Sequence, residues 1–446
     1  MATREGNLEA PTRHPLEWKS VNFYDEEMLG QELTRVFDIC HGCRRCVSLC
    51  TSFPTLFDLI DDGKTGEVDG VDRRDFGKVV DQCYLCDLCY MTKCPYVPPH
   101  DSNVDFPHLM LRAKAIKFKK GKVRIRDRLL SATDAIGKLA AIPVVAQIVN
   151  SANRNGPVRS LVDKVIGIHR DRVLPPYSPS RFRHKAKSSS AWPVRDGAKT
   201  PGKVAVFATC YVNFNEPDIG HDLLAILAHN EIPFRIVEKE ACCGMPKLEL
   251  GDLESVANLK EINIPPLAAL AREGYAILTA VPSCTLMFKK ELPLMFSGDA
   301  DVLAVSKAMF DPFEYFVSRA RDGLLKTSFE TSPGKVSYHI PCHSRVQNMG
   351  QKTREMLQMI PGTVVNTVER CSGHDGTWGV KSEYFANSMK IGRPVFRQMA
   401  NGDPDYISSD CAIACRHIAQ GMSEGANGKF VKSAHPLTLL RLAYGI

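Results

Sequence analysis

An α/β protein is predicted, with a helical N-terminal module followed by two copies of a small parallel α/β unit. Three observations predict it. Eight cysteines fall in two tight runs between residues 40 and 94, the second half of the chain repeats itself, and within each repeat short apolar β-rich runs alternate with longer helical stretches.

The first run reads Cys40-His-Gly-Cys43-Arg-Arg-Cys46-Val-Ser-Leu-Cys50, and the second Cys83-Tyr-Leu-Cys86-Asp-Leu-Cys89-Tyr-Met-Thr-Lys-Cys94-Pro95. Three cysteines at two-residue gaps and a fourth farther on is the spacing that wraps an iron–sulfur cube. In two-cluster ferredoxins the fourth cysteine serves the other cluster. One [4Fe-4S] cluster is therefore assigned to Cys40, Cys43, Cys46 and Cys94, and a second to Cys83, Cys86, Cys89 and Cys50. Structural zinc is the alternative, but it takes pairs and leaves triple runs unexplained. Two departures stand out. Four residues, not three, precede Cys94, and Cys50 is followed by Thr51 where proline is usual. Both read as adjustments of a turn. Arg44, Arg45 and Lys93 flank these runs as charges that could tune a cluster, or as ordinary surface.

Residues 1–35 read as a polar lead-in and the start of a helix over Glu26–Phe37, and Asp75–Asp81 as a short helix entering the second run. The expected divisions are a helical ferredoxin domain over 1–105, a basic helical segment and linker over 106–200, and the repeated units over 201–330 and 331–446. From Phe106 to Lys187 there are 19 Lys/Arg against 4 Asp/Glu, in a chain whose formal charge is only +7. That segment reads as a solvated face on bracing helices, or as an amphipathic surface for a membrane or partner. Nucleic acid is disfavoured because no groove-reading motif accompanies the charge. No apolar run approaches a membrane span, and no secretory core opens the chain. Sixteen cysteines without an export signal suit metal ligation in a reducing, cytoplasmic setting, with the chain peripheral on the inner face of a membrane if the basic segment docks there.

In the repeat, Lys203–Cys210 answers Lys335–Cys342, and Cys242-Cys243-Gly244 answers Cys371-Ser372-Gly373 at an offset of 129. The stretch ending at Cys284 answers the one ending at Cys411. Each cysteine follows a strand, at the carboxyl edge where parallel sheets gather ligands. The first unit offers Cys210, Cys242, Cys243 and Cys284. The second offers Cys342, Cys371, Cys411 and Cys415, with His343 and His374 beside them as a ligand or as hydrogen-bond donors to sulfur.

On these motifs the chain resembles iron–sulfur subunits that pair a two-cluster ferredoxin domain with two CCG (cysteine-rich) domains. Examples are the C-subunit of anaerobic glycerol-3-phosphate dehydrogenase, the D-subunit of heterodisulfide reductase and the glycolate oxidase iron–sulfur subunit. In that family a full unit reads Cys, Cys-Cys-Gly, Cys-x2-Cys. Here Met287 stands where the first unit's last cysteine belongs, Ser372 replaces a cysteine in the second, and Cys415 lies one residue late. A four-thiolate cluster in the first unit is expected, and either a cluster or a remnant in the second, giving one or two clusters beyond the ferredoxin pair. The run Cys371–Trp378 resembles a branch of the family paired with rubrerythrin. No dinucleotide or phosphate-binding glycine loop is present, so electrons are expected from a separate subunit. The resemblance implies an electron-transfer subunit relaying electrons between a flavoprotein dehydrogenase, or a rubrerythrin-like redox partner, and a quinone or other acceptor. A thiol–disulfide reductase with a catalytic cluster in the first unit is the alternative, and a docking protein without metal in its repeats a third.

Overall fold

The computed structural model describes residues 10–425 and 431–446. Two four-stranded sheets carry the second half. Strands β1 (Val204–Val206), β2 (Phe234–Ile236), β3 (Ala276–Leu278) and β4 (Met309–Phe310) lie in the order β2-β1-β3-β4. Strands β5 (Lys335–His339), β6 (Val364–Val368), β7 (Tyr406–Ser409) and β8 (Lys432–Ser433) repeat it as β6-β5-β7-β8. Every pairing is parallel. Matching order and direction are the structural form of the repeat seen in the sequence.

Strands β1 and β3 are apolar on both faces and buried throughout, as parallel strands covered by helices must be. Helices Pro217–His229 and Leu253–Arg272 cover the first sheet, one to three residues longer than their sequence pattern indicated. The C-terminal helix Pro436–Ala443 crosses to the first unit, where Arg441 pairs with Asp222 at 2.6 Å. One core, including Val204, Leu223, Phe316, Val336, Tyr338 and Leu440, therefore spans both units.

The N-terminal module is helical. Asp25 caps the helix Glu26–Cys43 by accepting from the Met28 N–H, and Leu29, Leu33, Val36 and Phe37 form its buried stripe. This helix runs six residues beyond the expected Phe37, so Cys40 and Cys43 occupy one face of its last turn before Arg44 stops it in the left-handed conformation. Helices Ser52–Asp61 and Phe76–Gln82 pack together, and Phe106 from the following helix stacks on Phe53 at 4.7 Å. A second core joins this module to the first unit without a break, from Phe37 and Met110 to Leu248 and Val256.

The basic segment is bracing near its start and open farther on. In the helix Phe106–Lys119, Lys117 pairs with Asp81 at 2.7 Å, Lys119 stands 3.8 Å over the Tyr24 ring, and Arg112 donates to the Phe23 carbonyl at 2.8 Å. Farther on, Leu139, Val144, Ile148, Leu161 and Val165 each leave more than three-fifths of their surface exposed. The linker near Pro175 is not loose: Phe182 is fully buried against the first unit, and Ser189 bridges to Phe234.

Candidate metal centres

The structure brings Cys40, Cys43, Cys46 and Cys94 to one small cavity of about 20 Å³, walled by Phe53, Phe57, Tyr96 and Val104. Burial, then the neighbouring sulfurs of Cys94, Cys46 and Cys43, pushes the Cys40 thiol well above its usual range. Four thiols gathered against an apolar wall are a donor set suited to a multivalent iron centre, which stabilises the thiolates it binds. The extra residue before Cys94 is absorbed by a single π turn over Cys89–Lys93, closed by the Cys94 N–H on the Cys89 carbonyl at 2.8 Å. The Lys93 side chain lies outside the described residues. Arg44 is neutralised by Asp61 and lies 5.0 Å over the Phe57 ring.

Cys50, Cys83, Cys86 and Cys89 form the second group: burial comes first in raising Cys50 and Cys89, then the sulfurs of their own set. Two short bonds make the crossover. Thr51 Oγ1 donates to Gln82 at 2.9 Å and Ser52 Oγ to the Val79 carbonyl at 2.8 Å, so the residues after Cys50 are tied to those before Cys83. Leu85 and Asp87 adopt left-handed conformations on either side of Cys86. That curls the run around its sulfurs, at a cost of about 1–2 kcal/mol for the leucine. The Cys46 sulfur adds to the upward push on Cys89, so the two groups lie within electrostatic reach of each other.

In the first unit the thiols of Cys210, Cys242, Cys243 and Cys284 converge. Cys210 follows β1, Cys242 and Cys243 follow β2, and Cys284 follows β3. Hydrogen bonds from Cys210 and Cys243 hold Cys242 well below the usual thiol range, so this set already favours a thiolate. The basic segment completes the site: Asp134 accepts the Cys242 N–H at 2.5 Å, and Thr133 sits beside Cys210 and Cys242 with its buried hydroxyl oxygen otherwise unpartnered. Met287, in the missing cysteine's place, is fully buried on a π turn over Met287–Glu291, its methyl 3.5 Å from where a side chain on Gly244 would begin.

The second unit differs. Cys342 reaches both Cys371 and Cys86 of the N-terminal module, and Tyr84 Oη lies 3.0 Å from the Cys371 sulfur. Cys371 also accepts the Gly373 N–H at 3.3 Å. Cys342, Cys371 and Cys411 line one cavity of about 90 Å³. Cys415 does not join them. It lies three to four residues along the helix Ala412–Gly425, which turns it into its own unit's core beside Val395 and Ile418, with its sulfur 3.8 Å from the Ile407 carbonyl. Neither histidine donates to sulfur: His343 Nδ1 is 2.8 Å from Ser283 Oγ, and His374 Nδ1 faces Arg172.

Known proteins share these cysteine-rich units in sequence. A model of the cysteine-rich domain, CCG, matches residues 204–289 and 336–417. The chain is 30% identical over 347 residues to the C-subunit of anaerobic glycerol-3-phosphate dehydrogenase of Escherichia coli (strain K12), covering 77% of this chain and 83% of that one. It belongs to this family of CCG-domain iron–sulfur subunits. Two further relatives match over about half of this chain. The B-subunit of fumarate reductase (CoM/CoB) of Methanothermobacter marburgensis is 29% identical over 55% of this chain and 47% of its own. Lactate utilization protein A 2 of Bacillus mycoides is 27% identical over 52% of this chain and 96% of its own. Electron transport by an oxidoreductase component is the family's role, and this chain carries the family's two cysteine-rich domains.

Sequence reasoning missed the residues that join these groups. Arg13, from the stretch read as a polar lead-in, is buried against Asp87 at 2.7 Å, Asp105 at 2.8 Å and Glu291 at 3.4 Å, and His108 meets Glu291 at 3.2 Å. Tyr84, Thr133, Glu249 and Asp375 were missed as well. Tyr84, inside the second cysteine run, and Asp375, inside the run Cys371–Trp378, carried a signal that could have found them.

Proposed function

We propose that this chain is the electron-relay subunit of a dehydrogenase or reductase complex. In this reading Cys40, Cys43, Cys46 and Cys94, then Cys50, Cys83, Cys86 and Cys89, each hold a [4Fe-4S] cluster in a ferredoxin-type domain over residues 1–105. The first CCG unit holds a further one on Cys210, Cys242, Cys243 and Cys284. Such clusters, when bound, take up and release single electrons at potentials tuned by charge, exposure and hydrogen bonds to sulfur. The contiguity of the sulfur groups carries the reading: Cys342 hydrogen-bonds to both Cys86 and Cys371, and Cys46 lies within electrostatic reach of Cys89.

The chain's own residues supply the tuning. The Gly373 N–H and the Tyr84 hydroxyl stabilise negative charge on Cys371, and Lys114, which donates to the Cys83 carbonyl, lowers the Cys83 thiol against a burial effect that leaves it at about 12. Phe53, Phe57 and Val104 keep water from the first group. The absence of a nucleotide loop from the sequence favours a flavoprotein partner as donor. The acceptor is a quinone or a second redox protein, rubrerythrin-like in the branch reading.

The exposed aliphatic face at Leu139, Val144, Ile148, Leu161 and Val165, with Lys138, Arg154 and Lys164 around it, is the surface through which the chain would rest on an anionic membrane. No single helix among the described residues is long and apolar enough to cross one.

Anaerobic purification with iron, sulfide and EPR analysis tests the assignment. About twelve irons per chain are expected, falling by about four in Cys243→Ala and staying unchanged in Cys415→Ala. About eight irons, with no loss in Cys243→Ala, would leave the first unit without its cluster. Zinc in place of iron would end the relay reading.

A further inference from the structure

One cluster of chemistry-bearing residues belongs to none of the thiol groups. A ring nitrogen of His343 and a carboxylate oxygen from each of Glu249 and Asp375 lie within 4.8 Å of one another. They come from separate places. Glu249 ends the helix Met245–Leu250 that follows Cys242-Cys243-Gly244 in the first unit. His343 sits on the helix Cys342–Arg345, and Asp375 on the loop after β6, in the second unit. All three line the cavity that also holds Cys342 and Cys371.

We propose that Glu249, His343 and Asp375 bind a single divalent first-row transition cation between the two CCG units. The imidazole is the first support. His343 is 7% exposed, its Nδ1 is fixed by Ser283 Oγ at 2.8 Å, and its Nε2 is buried with no hydrogen-bond partner. The Leu85 carbonyl approaches the ring, but not in hydrogen-bonding geometry. A ring held by one nitrogen with the other left bare is how metal-binding histidines are presented.

The carboxylates are the second. Neither forms a hydrogen bond or ion pair among the described residues, and Glu249 adds its charge to that around Asp375. The two lysines nearest Glu249 are engaged elsewhere, Lys114 on the Cys83 carbonyl and Lys381 with Asp127 at 3.3 Å. Two facing carboxylates with no cation bonded to either are costly in a partly dry site even with Lys114 and Lys381 nearby, and a bound cation lowers that cost. Gly376 leaves room for the Glu249 carboxylate, whose Oε2 a Cβ there would meet at 2.7 Å.

One nitrogen and two oxygens suit Mn²⁺, Fe²⁺ or Zn²⁺ over thiophilic ions. The cavity of about 90 Å³ leaves room for water or an exogenous ligand on the remaining positions. Glu249 neighbours Cys242, and Asp375 neighbours Cys86 and Cys371, so the cation would lie between the first unit's thiols and the groups around Cys86. The site requires nothing of the cluster assignment above.

The test uses the cluster-loaded chain, purified anaerobically, stripped of loosely held metal with a mild chelator and titrated with Mn²⁺ alone. Loss of the free-ion EPR signal counts what binds. One Mn²⁺ per chain is expected, displaced by Zn²⁺, with a rise in thermal midpoint. Glu249→Gln and Asp375→Asn should abolish it and Ser283→Ala weaken it about tenfold, as loss of an outer partner does. Iron and sulfide content, measured on the same samples, should not change. Absence of saturable binding by the parent chain would overturn the proposal, as would binding that survives both carboxylate substitutions.

Discussion

Thr51 stands where the sequence pattern expects proline, and its hydroxyl does what a rigid turn would do. By holding Gln82 it brings Cys50 to the second cysteine run. Arg13 acts at longer range, tying the N-terminal stretch, the second run and the first unit through three carboxylates. Its replacement by methionine leaves Asp87, Asp105 and Glu291 buried without their cation. Breaking such a network costs about 3–5 kcal/mol, so the thermal midpoint of Arg13→Met should fall by many degrees. A shift no larger than that of an exposed arginine, Arg74→Met for example, would show that the network contributes little. Neither residue is marked by any motif. Thr51 looks like a lost proline, and Arg13 like one cation in a polar tail.

At the scale of elements, the period of the apolar residues located Pro217–His229 and Leu253–Arg272 to within three residues, but not what such helices do. The helix Glu26–Cys43 outlasts its apolar stripe because its final turn serves the cysteines instead of the core. The helix Phe106–Lys119 reads as a charged surface, yet the cations on it and just after it are spent on Asp81, Glu26, the Tyr24 ring and the Cys83 carbonyl. Charge reversal at Lys117 should therefore destabilise the module and leave membrane docking alone. On the proposed reading, docking falls to the bent pair Thr133–Ala140 and Pro143–Arg154, whose axes differ by 104°. Serine at Leu139, Val144 and Ile148 together removes three side chains worth about 1.5–3 kcal/mol each when buried. Flotation with anionic vesicles should drop by more than about tenfold, with iron content retained. Unchanged flotation would assign this face to something other than lipid.

At the scale of the whole molecule, two kinds of buried group make stability depend on acid. Burial drives His339 and His435 down to about 4, below the usual histidine value near 6.5. The unfolded chain therefore takes up these protons first, and stability is lost as pH falls from about 6.5 to about 4, at about 1.4 kcal/mol per pH unit for each group. Glu291 follows. Burial opposes its ionisation, but His108 and Arg13 outweigh that and hold it at about 2, so its contribution is present above pH 4.5 and fades as pH falls toward 2. Thermal midpoints recorded from pH 8 to pH 4 should decline from about 6.5, with a shallower slope in His435→Asn, which can still cap the last helix. A flat profile between pH 7 and pH 5 would contradict the burial of neutral histidines.

Taken alone, the sequence determined the two cysteine runs, the duplication with its parallel sheets and the family, because thiolate spacing and strand–helix alternation are local and survive as patterns in the chain. It also grouped the first unit's four thiols, since three successive strands of a parallel sheet must end on the same edge. Tertiary structure alone decided that Cys342 turns to Cys86 and Cys371 to Tyr84, that Cys415 turns away, and that Glu249, His343 and Asp375 meet. Those contacts join residues as far apart as Tyr84 and Cys371, 287 positions along the chain, across the packing of three bodies. A helix phase or the closing of one unit on another leaves no periodic trace for a linear reading to follow.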